Sequence, residues 1–130
     1  MLDLLGKRTP FFDSIAKIAT LAEQEKFILV VSALSYSTAN YVLEKYESHD
    51  VVMSNLRKFK IVSTISNLNE LVVGKALNSD FEDFEDALQY FCALQLKCDV
   101  LLTRNAKDFK NSAIPVMTAD EFLKFYIQNR

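Results

Sequence analysis

DFEDALQYFCALQLKCDVLLTRNAKDF, residues 83–109, changes its hydrophobic period twice. Phe84, Leu88 and Phe91, together with the preceding Phe81, recur at helical spacing. Asn78-Ser79-Asp80 offers caps just upstream, so a helix is expected from Phe81 to about Leu96. Asp99–Thr103 (DVLLT) then runs apolar without alternation, the pattern of a short strand covered on both faces. Thr103–Phe109 is polar and reads as the turn leaving that strand. A long helix feeding a buried strand is the building unit of a parallel sheet.

The same alternation continues in both directions. Downstream, Ala113–Met117 reads as another short strand, and Pro115 confines it to a sheet edge. Thr118 can cap a closing helix with Asp120 and Glu121 in its first turn. Upstream, Leu68–Leu77 reads as helix, Lys60–Ile65 as a β-branched strand and Val51–Lys58 as helix. Ser48-His49-Asp50 separates that helix from one over Ser37–Lys45. Phe27–Ala33 is a continuous apolar run with the length of a buried strand. Asp13-Ser14 can start a helix reaching about Glu25, with Ile15, Ile18, Ala19, Leu21 and Ala22 on its apolar positions. The expectation is an α/β fold, a parallel sheet with helices on both faces, in one domain over residues 1–130.

Composition narrows the function. Half of the 130 residues are apolar, and only two Gly and two Pro occur, which favours regular elements around a core. The net charge of −2 shows no dominant basic surface of the kind a constitutive DNA binder carries. Two local basic runs stand out, Lys7-Arg8 and Arg57-Lys58-Phe59-Lys60. Cys92 and Cys98 are expected to be reduced, and with a single His, His49, no zinc site is expected. No apolar run has membrane-spanning length and no signal peptide is visible, so the expected setting is cytoplasmic.

The acids carry the candidate chemistry. The run Asp80–Asp86 holds five of the chain's seventeen acids. Asp83 and Asp86 are three apart, on a face distinct from the phenylalanines. The plain explanation is that a helix N-terminus favours acids. A second reading comes from topology. Ligands of open parallel sheets bind beyond the carboxyl ends of the strands. A helix feeding the 99–103 strand begins on that side, so Asp83 and Asp86 should face the turn carrying Asn105 and Asp108. Oxygen donors converging there suit Mg²⁺ or Mn²⁺, which can position a water for phosphodiester hydrolysis. Arg104, Lys107 and Lys110 flank the same turn and could hold phosphates, or be ordinary surface charge. His49 reads as an exposed turn residue. Tyr36, Tyr41 and Tyr46 could contact RNA or a partner, though such aromatics are more often core.

Residues 83–109 resemble the C-terminal signature of PIN domains, the fold of VapC-type toxins and many RNA-cleaving enzymes. The likeness extends through Ile114-Pro115-Val116-Met117-Thr118 and, upstream, through LDLLGKRTPFF and VVSALSYSTANYVL. It implies a three-layer α/β/α fold around a parallel sheet, and divalent-metal-dependent cleavage of RNA. The third family acid falls on Asp86, with Asp83 ahead of it in an extended DxxD form, and the fourth position falls on Asn105, with Asp108 close behind. Lys7 and Arg8 are placed near the same mouth and could add to RNA binding. An antitoxin partner and a homodimer are further implications of the resemblance. Two departures stand against it. The family's first strand and its acid precede Met1 in the pattern, so the central strand is expected to be missing here. Asp3 falls at the start of the first helix and does not replace that acid. The expectation is that the natural product starts upstream and Met1 is an internal methionine. The second family acid falls on Thr38, with Asn40 nearby, and neither is a carboxylate. The alternative is therefore a non-catalytic PIN fold that binds RNA or a protein. A receiver domain is disfavoured, because its acidic pair and phosphoacceptor positions are not found.

Overall fold

A computed structural model describes residues 12–129. Met1–Leu5, Lys7, Arg8 and most of LDLLGKRTPFF lie outside the described residues. The chain divides into two compact units between Ile65 and Ser66.

The first unit contains α1 (Phe12–Glu23), β1 (Val30–Ser32), α2 (Ala33–Leu43) and α3 (His49–Ile61). Strand β2 (Thr64–Ser66) spans the boundary. Helix α1 buries Ile18, and its end is closed by Glu25, which lies two residues beyond Glu23 and has φ 60°. The Glu25 N–H donates to the Ala22 carbonyl and that of Lys26 to Leu21, a Schellman closure built without glycine. The apolar run expected as one long strand over Phe27–Ala33 is strand only at Val30–Ser32. Ser32 explains the difference: its Oγ accepts from the Ser35 N–H and caps α2 immediately. Likewise Ser48 caps α3, so His49 is its first residue and not a turn residue. The His49 ring also has a partner, Glu44, among the described residues. Helix α3 continues to Ile61 and displaces the expected strand start at Lys60. The core of this unit is Ala39 and Leu43 against Val52 and Leu56. Tyr36 packs on it and shares a hydrogen bond with the Ser63 hydroxyl, whereas Tyr41 and Tyr46 are exposed. Strand β2 lies beside β1, with the Thr64 N–H donating to Leu29 at 2.8 Å.

The second unit holds α4 (Glu70–Leu77), α5 (Phe84–Gln95), β3 (Leu101–Leu102), a 3-10 turn (Ala106–Phe109), β4 (Val116–Met117) and α6 (Ala119–Asn129). Helix α4 packs on α5, and Asn69 and Gln95 join their ends by a 2.7 Å side-chain hydrogen bond. Strands β3 and β4 are parallel, with Leu101 opposite Val116 and Leu102 opposite Met117. Pro115 precedes β4 and contributes only its carbonyl, which accepts from the Leu101 N–H, so its missing donor is not needed. Among the described residues the ladders form two pairs, β1 with β2 and β3 with β4, and not one continuous sheet. Both cysteines are free.

Two helix ends in this unit yield predictions. Helix α5 closes in a Schellman motif: the Lys97 N–H donates to Leu94, and that of Cys98 to Ala93. Lys97 holds φ 55°, where a Cβ is strained. Lys97→Gly is expected to raise stability by about 0.5–1 kcal/mol, measured by urea unfolding. Thr118 and Glu121 form a capping box at α6: Thr118 Oγ1 accepts from the Glu121 N–H, and the Glu121 carboxylate accepts from the Thr118 N–H at 2.9 Å. These hydrogen bonds hold the Glu121 carboxyl below its usual range. Its contribution is therefore present above the unfolded carboxylate pKa and is lost as pH falls through the lower folded value. Thr118→Ala should cost about 1 kcal/mol at pH 7 in the same unfolding experiment.

Candidate active site

The site is assembled within the second unit by aromatic packing. Phe81 lies before α5, with ring centroids 5.3 Å from Tyr90, 6.3 Å from Phe91 and 5.7 Å from Phe109. Phe109 ends the 3-10 turn and is only 6% exposed. The Tyr90 hydroxyl accepts from the Ala113 N–H at 2.8 Å and ties down the segment that follows. The Phe81–Phe109 contact thus pins the turn carrying Asp108 to the segment entering α5.

This packing also moves the helix start. Phe81 and Asp80 are not helical; Asp83 is the N-cap, and α5 begins at Phe84. The caps expected at 78–80 are not used for this helix. Asp83 Oδ1 accepts from the Asp86 N–H at 2.9 Å, so one of its oxygens is committed to capping. Phe84, expected on the apolar face, is 48% exposed, whereas Leu88 is buried.

On the opposite wall, β3 ends at Leu102 and the Thr103 N–H donates to Met117. The Thr103 hydroxyl accepts from the Asn105 N–H, and the Asn105 carbonyl accepts from the Asp108 N–H at 3.0 Å. These bonds turn the chain sharply just beyond the strand. Asn105 has φ −122°, so the turn does not place it in the left-handed region. Asn105, Asp108, Arg104, Lys107 and Lys110 are all exposed.

Asp86 is the half-buried centre of the acidic group. Burial pushes its carboxyl above the usual carboxylate range, and repulsion from Asp83, Asp108 and Glu85 adds to this in that order. Asp83 and Asp108 therefore lie close enough to Asp86 to act on its charge. Glu85 was not singled out from the sequence; adjacency to Asp86 was the available signal. The aromatic clamp was likewise missed, because Phe81 reads as an ordinary helix-face residue.

The donor set has a definite capacity. Repelling carboxylates around a half-buried one favour a cation, and their oxygens suit a hard one. No group of three or more His, Cys, Asp or Glu that could hold a metal ion occurs among the described residues. The acids thus fit a hydrated ion reached through Asp86 with Asp83 or Asp108, the coordination mode Mg²⁺ tolerates, and do not form a closed cage. Thr38 sits half-buried within α2, in the first unit. The side-chain oxygen of Asn40, two residues on, is buried without a hydrogen-bond partner among the described residues.

Comparison with known proteins bears on the family. Residues 1–107 match the family model for the PIN domain. The chain is also similar to Ribonuclease VapC1 of Aquifex aeolicus (strain VF5), 31% identical over 102 residues, which covers 75% of this chain and 69% of that protein. No solved structure matches the chain significantly.

Proposed function

The chain belongs to the PIN-domain family, and from that membership we propose that it is a divalent-metal-dependent endoribonuclease, the toxin of a toxin–antitoxin pair. The observation that supports the reading is a half-buried Asp86 whose carboxyl is pushed up first by burial and then by the charges of Asp83 and Asp108. A carboxylate that resists ionisation among its own kind gains when a cation arrives.

In this reading Asp86 holds Mg²⁺ or Mn²⁺, with Asp83 or Asp108 as its second anchor. The bound ion supplies Lewis-acid polarisation of a phosphodiester and a water of lowered pKa. Asn105 offers a carboxamide to a phosphate oxygen beyond the end of β3, and Arg104 and Lys107 draw the RNA backbone to the mouth by charge. Lys7 and Arg8 are assigned the same role by resemblance alone, since they lie outside the described residues. Residues 1–130 are taken as one PIN-like domain working in the cytoplasm, with an antitoxin and a second copy as protein partners. No helix among the described residues is long and apolar enough to cross a membrane.

A second reading is a PIN fold that binds without cutting. Thr38 at the expected second acidic position and the lack of a three-acid group among the described residues favour it. A cleavage assay separates the two. With the first reading, single-stranded RNA is cut in Mg²⁺ or Mn²⁺ and cutting stops with a chelator. RNA retained intact but bound, at any metal concentration, supports the second.

A further inference from the structure

Helix α3 carries a surface that the acidic site does not use. From Val51 to Asn69 the chain has three cations, Arg57, Lys58 and Lys60, and no acid, within a protein of net charge −2. All three cations are exposed, and none makes an ion pair among the described residues. Successive helix residues lie about 100° apart. Val52, Leu56 and Phe59, all buried, therefore define the inner face, and Lys60, Arg57, Ile61 and Lys58 follow one another around the outer one. Ile61 sits among the cations and is 83% exposed. The Thr64–Leu29 hydrogen bond brings the segment holding Ile28, 78% exposed, to the same end of the unit.

Basic residues in a last helical turn are favoured by the helix dipole. That accounts for the sign of the charge but not for a bare isoleucine at its centre. An apolar centre within a charged rim is the anatomy of a protein interface. Phosphate binding needs the cations and has no use for Ile61, and among the described residues no aromatic side chain stands within this outer face for a base to stack on.

We propose that the Arg57–Lys58–Lys60 rim around Ile61 docks an acidic segment of a partner protein, one that presents an apolar side chain between carboxylates. The carboxylates meet cations that have no ion pair among the described residues, and the apolar side chain covers Ile61. The surface shares no residue with the acidic site, so its fate is independent of the ribonuclease reading.

The test titrates two fluorescent probes into the full chain: an acidic peptide with one leucine flanked by glutamates, and a single-stranded RNA. The peptide is expected to bind, and Arg57→Glu/Lys58→Glu/Lys60→Glu to abolish its binding. Ile61→Ser should weaken it about tenfold while leaving its salt dependence in place. Replacing the peptide's leucine by glycine should cost a similar factor. Thermal melts confirm that these exposed substitutions leave the fold intact. No peptide binding, or binding indifferent to Ile61, overturns the proposal. So does RNA affinity that depends on the three cations while the peptide ignores them, which would make the surface a phosphate site.

Discussion

Asp86→Asn is expected to lower metal-dependent RNA cleavage by at least about 100-fold, and at the same time to stabilise the protein near neutral pH. The first effect follows because the proposed role makes Asp86 the half-buried metal ligand, within charge range of Asp83 and Asp108, and groups merely supporting a metal ligand already cost about 10–100-fold when changed. The second follows from linkage. The folded carboxyl titrates above its unfolded value, so between the two values the native state holds more protons than the unfolded one. Stability from this group therefore falls as pH rises through that window and stays lower above it. The amide removes the penalty, so the variant should melt higher at pH 7 and no differently below the carboxylate range. Thermal melts across pH with a parallel cleavage series read both effects. A variant that loses activity without gaining stability would mean that neither burial nor the neighbouring acids disfavours the Asp86 charge.

Phe109→Ala should cost about 3–5 kcal/mol, a large share of the stability of a small domain. Phe109 is almost fully buried, packs on Phe81, and ends the turn that carries Asp108. Its loss leaves a cavity between the two walls of the site. It should also loosen Asp108 and bring the Asp86 titration down toward the ordinary carboxylate range. Urea unfolding gives the stability, and carboxyl-detected NMR titration gives the shift. A Phe109→Leu variant keeps most of the apolar volume and should retain the turn, which separates lost packing from general unfolding.

Much of this architecture is legible in residues 83–109, because helix, strand and turn follow there with distinct periods. Thr118 also acts as the helix start that its residue type suggests, whereas the helix expected from Leu68 is capped by Asn69 and begins at Glu70. Boundaries failed where two signals competed. Ser32 lies within an apolar run that reads as strand, yet its hydroxyl caps α2, so helix begins one residue later. Asn78, Ser79 and Asp80 all resemble caps for α5, but Asp83 serves, because Phe81 is drawn out of the helix to pack on Tyr90, Phe91 and Phe109. The residue types of the site were readable from the acids themselves. Their mutual geometry was not, since it depends on an aromatic contact between residues 28 positions apart in sequence.

The most direct test is to titrate Mn²⁺ into the protein and follow paramagnetic broadening of its backbone amides. The account predicts saturable broadening centred on Asp83, Asp86, Asn105 and Asp108, lost in Asp86→Asn. Amides that stay sharp in a folded chain at millimolar Mn²⁺, or broadening elsewhere that Asp86→Asn does not alter, would contradict it.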